Sequence, residues 1–215
     1  MAKLHEVHQS RQRIHVMEKM NGCAIYGADL HLPHMLYAKG VVTGCPYGEI
    51  RAIHTEEALN IPGVRGVYTA EDIPGHNGFG AFCKDEPILA ERYVKFAGDV
   101  VAVVVADSPV LAEQGAKAVR VELTPLKPVL TVEEALSGEI VINPAYPDNL
   151  CASQHLIKGD AAAALAQAEV VVEETYETAW VEHAYLEPEA VVVLPLEGGG
   201  LEMRGSTQNP CLLYT

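Results

Sequence analysis

The stretch DVVAVVVAD, residues 99 to 107, limits the fold more than any other part of this chain. It is a continuous β-branched apolar run with no polar face, the pattern of a strand covered on both sides. SPVLAEQGAKAVR follows, with Ser108 placed to cap a helix and Pro109 at its first position. The apolar residues Val110, Leu111, Ala118 and Val119 fall at roughly helical spacing. VRVEL then reads as a second strand. A short β-α-β unit of this kind predicts two parallel strands joined by a right-handed crossover.

Around this unit the chain reads as mixed α/β (α+β). Residues 1 to 20 are polar and His-rich, an N-terminal arm. HLPHM marks a turn at Pro33, and MLYAKGVVTG, 35 to 44, is a strand that resumes from Ile50 to Ile53. TEEALNIPGV is a short helix with Thr55 at its N-cap, and VRGVYTAEDIPG is a strand followed by a helical turn. After Leu123 the prolines at 125, 128, 144 and 147 mark a connector with one short helix, Val132 to Leu136. The predicted division is an arm (1–20), a first domain (21–136), a linker (137–157) and a second segment (158–215). In the last segment Asp160 caps a helix over GDAAAALAQAE. Strands are predicted at 169–181, 189–196 and 200–207, with EGGG turning a hairpin between the last two.

A formal net charge of -14, spread along the chain, disfavours a nucleic-acid surface or an anionic membrane as partner. No apolar run approaches the roughly 20 residues of a membrane helix, and the N-terminus lacks the apolar core of a secretory signal. The five cysteines are widely spaced without a CxxC, which suits a reducing cytoplasm and offers no zinc or iron–sulfur spacing.

Several stretches resemble chemical motifs. GHNGFGAF, 75 to 82, is glycine-rich, but no buried strand precedes it and no helix opens after it, so it reads as a surface loop rather than a phosphate cradle. HLPH (His31, His34) and HEVH (His5, His8) have metal-pair spacing without a placed third ligand, and read as surface segments. WVEHAYLEPEA, 180 to 190, is denser. Strand alternation puts Val181, His183, Tyr185, Glu187 and Glu189 on one face and Glu182, Ala184, Leu186 and Pro188 on the other. Carboxylates beside a histidine can do acid–base work if burial splits their pKa values. They can equally form a hydrogen-bonded hinge ended by Pro188. No serine elbow or cysteine nucleophile motif accompanies them, which favours the hinge.

Taken in order, KMNGCAIYGADLHLPHMLYAK, TAEDIPGHNGFGAF, DEPILAERYVKFAGDVVAVVVADS, AEQGAKAVRVELTPLKPVLTVEEAL, GDAAAALAQAEVVVEETYETAWVEHAYLEPEAVVVLP and STQNP resemble the molybdenum-binding subunit of the xanthine dehydrogenase and aldehyde oxidase family. The resemblance runs from about residue 20 to 210. It implies an α/β-hammerhead domain followed by the first strands of a molybdopterin-binding domain. The implied activity is hydroxylation of purines, related N-heteroaromatics or aldehydes. Molybdenum-molybdopterin is the implied cofactor, with [2Fe–2S] clusters and FAD on partner subunits. The cofactor-side residues it implies are Val181, Glu182, His183 and Gln208. Val181 stands where xanthine dehydrogenases place a glutamine that contacts the molybdenum oxo group.

The family's glycine-rich GGGFGGK loop and its general-base glutamate do not occur before Thr215. The resemblance therefore predicts a truncated or split subunit, inactive alone, that does not hold the cofactor by itself. Its expected partners are the remainder of the molybdenum subunit and the iron–sulfur and FAD subunits. The competing expectation is a non-catalytic binding or assembly module on a hammerhead fold, with self-association through exposed strands.

Overall fold

In a computed structural model the described residues are 9–80, 84–182, 184 and 189–207. They divide into two compact units: His34–Trp180, and Met1–Pro33 with Val181–Thr215.

The larger unit holds two three-stranded antiparallel sheets. In the first, β5 (Val100–Ala106) lies between β1 (Tyr37–Val42) and β3 (Val64–Thr69). In the second, β2 (Gly48–His54) lies between β4 (Tyr93–Val94) and β6 (Arg120–Pro125). The short helix α2 (Glu56–Leu59) precedes β3, and α3 (Pro109–Ala118) joins β5 to β6.

The DVVAVVVAD run is the centre of this unit. Val101, Ala102, Val104 and Ala106 are fully buried. Val101, Ala102 and Val104 join Val41, Ala58, Ala90, Val94 and Val119 in one apolar cluster, lined by Ile50, Ile53, Val121 and Leu123. Burial of such side chains contributes about 25 cal/mol per Å² of apolar surface and is the main stabilising term of this core.

The parallel β-α-β expectation is corrected. Antiparallel neighbours β1 and β3 occupy both hydrogen-bonding edges of β5, so β6 ladders onto β2 in the other sheet. Helix α3 is thus a bridge between sheets rather than a crossover within one. Its N-terminus is as read: the Ser108 hydroxyl accepts from Leu111 N at 3.2 Å, and Pro109 opens the helix. Of its apolar positions, Val119 is buried in the core cluster and Ala118 packs against it. Val110 is 65% exposed, while Ala112 and Gly115 face the core. Small residues there let the helix axis approach β5 closely.

Thr55 precedes α2 without a side-chain cap, whereas Thr131 caps α4 (Val132–Ser137) by accepting from Glu134 N. Helix α5 (Ala161–Gln167) starts at Asp160, whose carboxylate accepts from Ala163 N at 2.9 Å. The predicted strand at 169–181 takes part in no ladder among the described residues, and it is exposed. Alternating propensity produces a strand only where a partner supplies the other half of the hydrogen bonds.

In the smaller unit, α1 (Val16–Met20) lies within the expected arm and buries nothing. The predicted hairpin is present as β7 (Ala190–Pro195) and β8 (Leu201–Ser206), antiparallel and in continuous register.

Candidate functional site

The glycine-rich stretch is a tethered loop. The Asn77 side-chain amide donates to Leu89 O at 2.8 Å and its carbonyl accepts from Leu89 N at 3.1 Å, as a neighbouring strand would. Phe79 and Glu86 exchange main-chain bonds. Residues 81–83 lie outside the described set. His31 and His34 are both exposed at the Pro33 turn, and His5 and His8 are not among the described residues. Among the described residues no group of three or more His, Cys, Asp or Glu side chains is placed to hold a metal. No helix among them is long and apolar enough to cross a membrane.

The hairpin carries the polar feature that stands out. Its register sets Ala190 opposite Ser206 and Val191 opposite Gly205. At this end a cavity of about 240 Å³ is lined by Glu189, Ala190, Val191, Met203, Gly205, Ser206 and Thr207. The Ser206 hydroxyl is shielded from solvent and, among the described residues, has no hydrogen-bond partner. Leaving a buried hydroxyl unsatisfied costs about 1–3 kcal/mol, so such a group calls for a partner: an ordered water, an ion or a ligand group. Gly205 is required there: a Cβ on it would overlap the Ala190 carbonyl oxygen.

Behind Gly205 a second cavity of about 250 Å³ is lined by Ile25, Tyr26, Gly27, Leu30, Arg204, Gly205 and Ser206. Arg204 is the cation here. Its Nε donates to Glu202 Oε1 at 2.5 Å, and that bond and charge raise the guanidinium pKa.

The sequence-derived residues are only partly brought to this place. Val181 is 84% exposed, and Glu182 is exposed with its carboxylate accepting from Ala184 N at 3.3 Å. Neither lines the hairpin cavity. Ala184 has φ 47°, a left-handed conformation that interrupts strand alternation, so the two-face reading of 181–189 does not hold across it. His183, Tyr185, Glu187 and Gln208 lie outside the described residues. Glu189 does line the cavity, as do Ser206 and Thr207 from the STQNP motif. Sequence reading overlooked Ser206 as a site residue. The signal available was its place in that motif, directly after a glycine in a strand.

A molybdopterin is large and phosphate-bearing, and its sites converge many donors from several loops. The described residues offer one orphan hydroxyl, one arginine already paired with Glu202, and the carboxylate of Glu189. They fit one wall of such a site and do not enclose the group.

The described residues thus form two antiparallel sheets bridged by a helix, followed by a hairpin whose cavity is lined by Glu189, Ser206 and Thr207 beside apolar side chains. Comparison with known proteins identifies both parts. Residues 21–127 match the aldehyde oxidase and xanthine dehydrogenase a/b hammerhead domain, and residues 142–214 match the molybdopterin cofactor-binding domain. The nicotinate dehydrogenase large molybdopterin subunit of Eubacterium barkeri is 36% identical over 94% of this chain and 47% of its own length. A probable xanthine dehydrogenase subunit of Bacillus subtilis is 33% identical over 93% of this chain and 27% of its own. Among solved structures, the aldehyde oxidoreductase of Desulfovibrio gigas superposes with a TM-score of 0.81 at 30% identity, covering 89% of this chain and 22% of that one. The chain belongs to the aldehyde oxidase and xanthine dehydrogenase family of molybdenum hydroxylases. It spans about half or less of the length of these relatives.

Proposed function

We propose that this chain is the hammerhead-bearing part of the molybdenum subunit of a xanthine dehydrogenase-like hydroxylase. Its substrates are purines or related N-heteroaromatics. The supporting observation is a cavity lined by Ser206, whose buried hydroxyl is unsatisfied among the described residues, within the stretch that matches the molybdopterin domain. In this reading residues 21–136 form the hammerhead, 137–157 the linker and 158–215 the start of the cofactor domain, with 1–20 as an arm. Val181, Glu182, His183 and Gln208 belong to the cofactor side of the assembled domain. When bound, molybdenum-molybdopterin supplies the oxygen-transfer and electron-accepting chemistry. Further polypeptide completes its pocket, and iron–sulfur and FAD subunits carry the electrons away. Alone, the chain is inactive. Its setting is the reducing cytoplasm, which fits the free thiols of Cys23, Cys45 and Cys151.

The test is co-expression with a polypeptide that completes the molybdopterin domain, followed by metal analysis and dye reduction with purines and nicotinate. Molybdenum in the purified complex and substrate-dependent reduction are expected. No molybdenum uptake with any completing partner overturns the reading. The exposure of residues 169–180 favours a second reading, a non-catalytic assembly module. Under it, a stable complex forms without molybdenum.

A further inference from the structure

Residues 169–180, EVVVEETYETAW, form a segment without helix or ladder in which every residue is exposed. Val170 is 79% exposed, Val172 77%, Tyr176 88% and Trp180 104%. These four fall on one face by strand alternation, with Thr178 and Glu174 between them. The composition is that of a strand, rich in Val, Thr, Tyr and Trp, and among the described residues no ladder engages it. An apolar strip joined to a row of open main-chain donors and acceptors is a template for strand addition.

Charge selects the occupant. Glu169, Glu173, Glu174 and Glu177 are carboxylates, and the segment contains no Lys or Arg. A second copy would bring the same carboxylates into one ladder, where facing like charges destabilise. The chain's net charge of -14 adds repulsion between copies. A strand that alternates apolar with Lys or Arg side chains satisfies the backbone, the apolar strip and the carboxylates together.

We propose that residues 169–180 are a strand-addition surface for a partner polypeptide presenting an apolar, basic β-edge. This rests on the assembly part of the function proposed above and names the surface through which assembly occurs.

Trp180 is the single tryptophan of the chain and lies on the strip, so its emission reports docking directly. The probe is a synthetic peptide of segment length alternating Val and Lys, added to the purified full chain. Controls are the same peptide with Glu for Lys, and a Val/Lys peptide with alternate amides N-methylated so that it cannot ladder. The Val/Lys peptide is expected to shift Trp180 emission to the blue and to slow alternate amides of 169–180 by about tenfold or more. Both controls are expected to leave emission and exchange unchanged. Thr175→Pro, in an exposed segment outside the core, is expected to abolish the response and leave thermal unfolding unaltered.

Equal responses to the Lys and Glu peptides, or to the N-methylated peptide, overturn the proposal. So does protection that rises with protein concentration in the absence of peptide, which makes a second copy the occupant. A chain that docks the Val/Lys peptide but takes up no molybdenum in the co-expressed complex upholds the strand surface and refutes the hydroxylase reading.

Discussion

The guanidinium of Arg65 grips both carboxylate oxygens of Asp107, with Nε to Oδ1 and Nη2 to Oδ2 each at 2.7 Å. The pair ties β3 to the residue that follows β5, where Asp107 N also donates to Gly63 O at 2.9 Å. The hydrogen bond from Arg65 holds the Asp107 carboxyl below its ordinary value, and the same bond raises Arg65. A depressed carboxylate stabilises the fold at pH above its unfolded pKa of about 4. That contribution is lost as pH falls through the lower, folded value. Both groups are solvent-exposed, so the effect is small and salt-sensitive. Asp107→Asn should lower the thermal midpoint at neutral pH and low salt. The difference from the parent should shrink in high salt and vanish in acid below the carboxylate range. A difference that persists in acid would assign the effect to packing instead.

Gly115 decides how closely α3 sits on β5. A Cβ at this position would stand 2.7 Å from Val104 Cγ1 and 3.2 Å from Val64 Cγ2. Alanine gains about 1 kcal/mol over glycine in helix propensity. Overpacking typically costs about 1–3 kcal/mol, and Val104 is fully buried and β-branched, so it yields little. Gly115→Ala should therefore be net destabilising in denaturant titration, despite the better helix former. Adding Val104→Ala should give a double variant more stable than the sum of the two single losses.

Asn149 holds the connector. Its amide donates to Ala135 O at 2.9 Å and Ile140 O at 2.7 Å, and its carbonyl accepts from Ile142 N at 3.1 Å. Its φ of 55° is one that asparagine tolerates better than most residues. Asn149→Ala should cost about 1–3 kcal/mol locally, read as faster exchange of the Ile142 amide. The amides of β5 should be little affected, because none of these bonds reaches the core.

Ser206 makes opposite predictions in two settings. In the chain alone its buried hydroxyl has no described partner. Ser206→Ala should leave the denaturation midpoint unchanged or raise it, by up to about 1–3 kcal/mol. In the co-expressed complex the same change should lower molybdenum content. A loss of stability in the isolated chain would show that the hydroxyl is already satisfied.

The local elements were legible because their determinants are local. The apolar run at 100–106, the Ser108 and Asp160 caps, and the glycines between β7 and β8 act within a few residues of themselves. The family was legible from six ordered stretches that need no tertiary information. On α3, Ala118 and Val119 meet the core as their spacing suggests, but Val110 does not, because close packing on β5 takes Ala112 and Gly115 instead. The candidate site was read through strand alternation across 181–189, which the left-handed Ala184 interrupts.

The sequence by itself determined which segments are strand-like or helical, where α3, α4 and α5 begin, and which family the chain resembles. Only the tertiary structure decided that β5 and β6 lie in different sheets, that Gly205 and Ser206 frame a cavity, and that residues 169–180 stand without a ladder among the described residues. Propensity and capping are properties of neighbouring residues. Strand pairing and the satisfaction of a buried hydroxyl depend on groups far along the chain, or on another chain altogether.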